Sequence, residues 1–181
     1  YISYGLFYGC ESLTEIKIPE SVKIIGQAAF INCKSLKSIK IPKNVSNIYI
    51  FAFWGCSSLE KFMFMNKETI FYDMAFVDCT FNFGYRSVPL PNGAVPVMYG
   101  YNGSEAQKRA EYSIKKGLFK FDIFGDVNGD GNVNMHDIAI MQYYASDLTV
   151  FTEEQKICGD LNEDEQVTLK DCSLLQNELI E

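Results

Sequence analysis

Two twelve-residue stretches carry oxygen side chains at one fixed spacing. Residues 126–137 read Asp-Val-Asn-Gly-Asp-Gly-Asn-Val-Asn-Met-His-Asp, and residues 160–171, starting 34 positions later, read Asp-Leu-Asn-Glu-Asp-Glu-Gln-Val-Thr-Leu-Lys-Asp. Each places oxygen donors at positions 1, 3, 5, 9 and 12 and a branched apolar residue at 8. That is how a short loop surrounds a hard cation such as Ca2+ with six or seven oxygens. In the first loop the expected ligands are Asp126, Asn128, Asp130 and Asp137, with the backbone carbonyl of Asn132 and a water held by Asn134. The second repeats the set with Asp160, Asn162, Asp164, Asp171, the carbonyl of Gln166, and Thr168 at the water position. Two Ca2+ ions are therefore expected. Gly131 occupies position 6, where the turn needs a positive φ. Glu165 stands there in the second loop, at a cost of roughly 1 kcal/mol in backbone strain, which makes the second site the less certain of the two. A pair of solvated acidic turns is the bland alternative, and two matches in register count against it.

Little other chemistry is spelled out. His136 is the sole histidine, and no Ser, Cys or carboxylate spacing supplies it with catalytic partners. A non-enzymatic chain is expected, with His136 a surface recognition residue. Cys10, Cys33, Cys56 and Cys79 recur every 23 residues. Equivalent rungs point the same way and pair with poor geometry, so buried free thiols are expected. Cys158 and Cys172 flank the second loop; a disulfide and two packed thiols both fit them, the thiols being favoured.

Charge divides the 181 residues. Residues 1–122 hold 14 Lys/Arg and 10 Asp/Glu; residues 123–181 hold 2 against 13. The acidic block suits cations and disfavours nucleic acid, and the basic excess of the first block is too scattered to track phosphates. No run approaches the roughly 18–20 apolar residues of a membrane span.

The elements that must position the loops follow from pattern. A helix is expected from position 12 of each loop, over Asp137–Tyr144 and Asp171–Glu178, and Thr152-Glu-Glu-Gln155 reads as a capping box opening a short linker helix. No helix of useful length precedes the first loop, unlike an ordinary EF-hand. Upstream, Phe7-Tyr-Gly-Cys10, Phe30-Ile-Asn-Cys33, Phe53-Trp-Gly-Cys56 and Phe76-Val-Asp-Cys79 mark a repeat. Leu13, Leu36 and Leu59 follow three residues after the cysteines. Then come alternating pairs, Ile16 and Ile18, Ile39 and Ile41, Phe62 and Phe64, each expected to form a short half-buried strand. Val22 with Ile25 is echoed by Val45 with Ile48. No unit can bury its apolar face alone, so the units must stack into a solenoid. The pattern decays after Cys79, with Met65–Thr69 and Thr80–Val97 irregular around Pro89, Pro91 and Pro96. A helix over Gln107–Lys116, capped by Ser104 and ended by Lys115-Lys116-Gly117, and a strand through Phe119, Phe121 and Ile123 are expected to close the solenoid. Tyr1 falls mid-unit, with Ile2 in the slot of Ile25 and Ile48, so more chain is expected upstream.

The Ala-Phe-x-x-Cys-x-Ser-Leu-x-x-Ile-x-Ile-Pro register, seen in Ala29-Phe30, Ala52-Phe53, Ser12-Leu13, Ser35-Leu36 and Ser58-Leu59, resembles the leucine-rich repeat of bacterial surface proteins. The Gly125-Asp-Val-Asn-Gly-Asp-Gly and Gly159-Asp-Leu-Asn openings resemble the type I dockerin of cellulosomes. Together they imply a β-rich leucine-rich-repeat solenoid over 1–124, with closing segment 80–124, then a small all-α dockerin over 125–181 with two EF-hand-like loop–helix motifs. The second resemblance implies docking on a cohesin module of a scaffold, dependent on calcium, in a secreted, extracellular setting linked to polysaccharide degradation. It assigns contacts to Met135, His136, Ala139 and Tyr143 in the first half and to Leu169, Lys170, Ser173 and Asn177 in the second. These lie near i, i+4 and i+8 and share one helix face. Because Met-His faces Leu-Lys and Tyr143 faces Asn177, one binding orientation is expected to be preferred. The repeats are expected to meet a protein or surface ligand that the sequence does not name. Two alternatives remain: a targeting appendage of an enzyme lying upstream, and a scaffold-independent calcium-binding adhesin.

Overall fold

A computed structural model describes residues 1–72, 74–76, 79, 95–115 and 120–180. It divides into two compact units, Tyr1–Phe121 and Asp122–Glu181.

In the first unit the 23-residue period becomes strand register. Strands β1 (Ile24–Ile25), β3 (Asn47–Ile48) and β5 (Ile70–Phe71) pair in parallel, with Ile25 beside Ile48 and Ile48 beside Phe71. Strands β2 (Ser38–Ile41), β4 (Lys61–Phe64) and β6 (Val97–Gly100) form a second parallel row, with Ile39 beside Phe62 and Phe62 beside Met98. β7 (Lys120–Ile123) borders β6 at the end of that sheet. Along β2 and β4 every second residue is buried, which is the alternation expected of a strand with one face in the core. This unit is a parallel β-solenoid.

The phenylalanine that precedes each cysteine by three residues builds a ladder through the core. Phe7 stacks on Phe30 at 5.0 Å, Phe30 on Phe53 at 5.1 Å and Phe53 on Phe76 at 5.5 Å. Beside it the Cys33 thiol donates to the Phe7 carbonyl and the Cys56 thiol to the Phe30 carbonyl, each at 3.2 Å. All six cysteines are free. Burial raises the Cys33 thiol to about 11, with Cys10 adding to the shift, and burial likewise lifts Cys56 well above its ordinary value. Cys10 departs from the expected buried rung: it is exposed.

Among the described residues the coils turn left-handed corners at two recurring places. One precedes the cysteine, at Gly9, Asn32 and Gly55, with φ of 70°, 56° and 73°. The other falls at Gly5, Ala28, Phe51 and Met74, with φ of 59°, 60°, 59° and 68°. The second set mostly lacks glycine, so the stacked coils must hold it in place.

Several expectations shift. Ile18 is buried as in the later copies, yet Ile16 to Ile18 form no strand. The coil is tied to the next one just before that run, where the Glu11 and Thr14 carbonyls accept from the Ser35 and Lys37 amides at 3.2 and 3.1 Å. Met65–Thr69 carries no strand, as expected, with β5 starting just after it at Ile70, and the run to Val97 ends where β6 begins. Helix α1 (Glu105–Lys115) starts two residues before the expected Gln107, and the Ser104 hydroxyl accepts from the Gln107 amide at 3.1 Å. Arg109 lies over the Phe71 ring at 5.0 Å, clamping α1 on the last coil. The expected helix end at Lys116-Gly117, Phe119 and the prolines Pro89 and Pro91 lie outside the described residues.

The second unit is helical: α2 (Met135–Ala145), α3 (Glu153–Gly159) and α4 (Leu169–Glu178). Ile138 and Met141 of α2 and Cys172 and Leu175 of α4 are buried, and the two helices pack together. Thr152 and Gln155 form the expected capping box on α3. Among the described residues no helix is long and apolar enough to cross a membrane.

Candidate functional site

The two twelve-residue loops immediately precede α2 and α4, and in each the first and last carboxylates organise the backbone. Asp126 Oδ1 accepts from the amides of Gly129 at 2.7 Å and Asp130 at 3.2 Å, and Oδ2 accepts from Gly131 at 2.8 Å. Asn128 Oδ1 accepts from the Asp130 amide at 2.8 Å and Asp130 Oδ1 from the Asn132 amide at 2.8 Å. Asp137 is fully buried; Oδ1 accepts from Val127 and Asn128 at 3.1 and 3.3 Å, and Oδ2 from Asn134 at 2.9 Å. Side chain by side chain, these bonds wind the loop back on itself.

The second loop repeats the winding. Asp160 Oδ1 accepts from the Asp164 amide at 3.1 Å and Oδ2 from Glu165 at 2.9 Å. Asn162 and Asp164 accept from the amides of Asp164 and Gln166 at 2.9 and 3.1 Å. Asp171, also fully buried, accepts from Leu161 and Asn162 at 3.0 Å each and from Thr168 at 2.9 Å. Gly125 and Gly159 sit where each loop begins. A Cβ at Gly125, whose φ is 92°, would lie 2.8 Å from Leu175 and 2.9 Å from Val133, so a side chain there would strain the backbone and displace both neighbours. One at Gly159 would lie 3.1 Å from Val167, a tight approach that Val167 would have to ease.

Helix α2 begins at position 10, two residues before the expected start, and α4 does the same. The reason is a cap at position 9. Asn134 Oδ1 accepts from the His136 amide at 2.8 Å, and Thr168 Oγ1 from the Lys170 amide at 3.2 Å. In both helices the position-12 aspartate returns the bond to the cap backbone, completing a capping box. Asn134 and Thr168, read from sequence as water-bearing positions, thus also start the helices. A polar residue three before Asp was a legible signal for that role.

The electrostatics favour a cation. Burial pushes the Asp137 carboxyl above its ordinary value, and the neighbouring charges of Asp126 and Asp130 push the same way. Asp130, held by the Asn132 amide, goes below its ordinary value. Three carboxylates crowd one loop with no Lys or Arg in it. A doubly charged oxygen-seeking ion would relieve that repulsion, and the all-oxygen donor set suits Ca2+ rather than a nitrogen- or sulfur-seeking metal. Among the described residues no group of three or more His, Cys, Asp or Glu is drawn together as a closed metal site; the loop carboxylates are turned to backbone amides.

The recognition residues named from sequence reach the surface. Met135, Tyr143 and Leu169 are 61%, 58% and 59% exposed, large fractions for apolar side chains on helices. His136, Lys170, Ser173 and Asn177 are exposed, and Ala139 is half-buried. The Ser173 hydroxyl donates to the Leu169 carbonyl at 2.9 Å, so it is satisfied within its own helix. Two features escaped the sequence. Leu174, on α4, is an exposed apolar side chain. Gln155 Nε2 donates to the Val127 carbonyl at 2.9 Å, tying α3 to the first loop.

A parallel solenoid of 23-residue coils, followed by duplicated loop–helix motifs, defines a leucine-rich-repeat protein with a paired-loop helical module. The chain belongs to the BspA type leucine rich repeat family: the model of that region matches residues 1–92 in six copies. Residues 124–180 match the dockerin type I domain. No curated protein and no solved structure matches the chain.

Proposed function

We propose that the second unit docks this chain, through a calcium-ordered face on α2 and α4, onto a cohesin module of an extracellular cellulosome scaffold, while the solenoid presents an interaction surface of its own. The observation that carries this is the pair of matched loops, each ending in a buried aspartate that caps the helix bearing the exposed Met135 or Leu169. A type I dockerin is in general a cohesin-binding domain.

In this reading two Ca2+ ions lie in the loops, at Asp126, Asn128, Asp130, Asn132, Asn134 and Asp137 and at Asp160, Asn162, Asp164, Gln166, Thr168 and Asp171. Bound there, each ion would supply positive charge and six or seven places for oxygen. The unit is an all-α, EF-hand-like pair. Asp137 and Asp171 hold the first turns of α2 and α4, so an ordered loop means an ordered helix start. Met135 and Tyr143 then meet the partner as a desolvated apolar anchor. Lys170 acts at the rim, where it steers approach. The chain recognises rather than catalyses, and His136 belongs to the docking face.

The test is calorimetric titration of the chain against a panel of cohesins, in calcium and in chelator, with paired variants. Tight binding to one member that vanishes in chelator is expected. Met135→Ala with His136→Ala should weaken it more than Leu169→Ala with Lys170→Ala, by roughly tenfold or more. Equal losses would reject a preferred orientation. Calcium uptake without binding to any cohesin would leave a calcium-stabilised adhesin.

A further inference from the structure

The two loops share a backbone path but not the residues that make it easy. In the first, the corners at positions 4 and 6 are Gly129 and Gly131, with φ of 73° and 84°. In the second, the same corners are Glu163 and Glu165, with φ of 65° and 68°. Left-handed backbone drives Cβ toward a carbonyl oxygen, and a non-glycine residue stays there only where its surroundings insist. The Glu165 amide bond to Asp160 Oδ2, at 2.9 Å, is one such hold, the counterpart of Gly131 on Asp126 at 2.8 Å.

Charge works in two directions. The second loop holds five carboxylates and one lysine, where the first holds three carboxylates and no lysine or arginine. With no cation to gather them, five carboxylates repel, and letting the two corners leave the left-handed region relieves strain and repulsion together. The strain is therefore incurred when the loop closes on its ion. The extra carboxylates also attract that ion. Glu165 is exposed and Glu163 partly so, and at physiological salt such charges are screened beyond about 8 Å. Two left-handed glutamates outweigh two screened charges, by a factor on the order of tenfold or more in affinity.

On the calcium reading proposed above, we infer that the loops load in order: the first loop fills first, and the second sets the calcium threshold for the α4 half of the docking face. Thr168 and Asp171 belong to both the second loop and the start of α4, so Leu169, Lys170, Ser173 and Asn177 become fixed only when that loop closes. At intermediate calcium the chain offers a cohesin one ordered half-face, that of α2.

The intact chain should be titrated with CaCl2 by calorimetry while amide hydrogen exchange is followed in residues 135–145 and 169–178. Two unequal sites are expected, with protection of 135–145 appearing at roughly tenfold lower free calcium or less. Glu163→Gly with Glu165→Gly, which removes the strain, should bring the second site to within about threefold of the first. Glu163→Gln with Glu165→Gln keeps the strain and removes the charge, so it should widen the gap. Equal affinities with both helices protected together would overturn ordered loading alone, as would Gln variants that close the gap as well as Gly variants. Absence of calcium uptake at either loop would overturn it together with the calcium-dependent docking reading.

Discussion

Asp137 is at once a helix cap, a buried carboxylate and an intended ligand. Its two oxygens satisfy the amides of Val127, Asn128 and Asn134. Asp137→Ala orphans all three, so the second unit should lose roughly 3 kcal/mol or more even in chelator, measured by urea denaturation. The pH dependence has a definite sign. The folded-state carboxyl titrates above its ordinary value of 3.8, mainly through burial. Its contribution to stability is thus complete below about 3.8 and is lost as pH rises through the raised value. Asp130 is shifted the other way, so its contribution is present above its ordinary value and is lost as pH falls through the lowered one. In chelator, wild type relative to Asp137→Asn should weaken as pH rises from about 4 toward neutrality. A difference that stayed flat or grew would mean that the Asp137 charge is not desolvated.

At the scale of elements, the Phe ladder and its thiols carry the solenoid. Phe53 touches rings on three sides: Phe30, Phe76 and, edge-on at 5.2 Å, Phe62. Phe53→Ala should cost the first unit roughly 3–5 kcal/mol in denaturant unfolding. Under native conditions iodoacetamide should label Cys10 first, with Cys33, Cys56, Cys79, Cys158 and Cys172 reacting only on unfolding, as mass spectrometry would show. These elements were also where the sequence was most and least informative. A 23-residue period maps directly onto register, because residues one coil apart must be neighbours: Ile39 is 23 before Phe62, as Ile25 is before Ile48. The oxygen spacing of the loops was equally legible. The two-residue strands β1, β3 and β5 were not, since two residues carry no alternation. Neither were the corners at Ala28, Phe51 and Met74, whose side chains give no hint of a left-handed backbone; there the stacked coils override local preference. The early starts of α2 and α4 were missed because Asn134 and Thr168 were assigned to a ligand position when each also serves as a cap.

At the scale of the whole molecule, the chain combines a repeat unit with a small basic excess and an acidic module, and the two depend on different forces. The first is held by apolar stacking, which calcium does not touch. The second concentrates carboxylates whose repulsion a cation would offset. Scanning calorimetry should therefore show two transitions. Excess calcium should raise only the one belonging to residues 122–181, by several degrees, and chelator should return it. A shift of both transitions, or of neither, would contradict this division of labour.

The regular spacing of the ladder also bears on how such chains change over time. Successive rings lie 5.0–5.5 Å apart, and each rung is one 23-residue coil. Gain or loss of one coil by duplication or deletion in the gene would lengthen or shorten the solenoid by one rung while leaving every interior neighbour of the same kind. The unit is in that sense a ruler graduated in steps of about 5 Å, adjustable without inventing a new core.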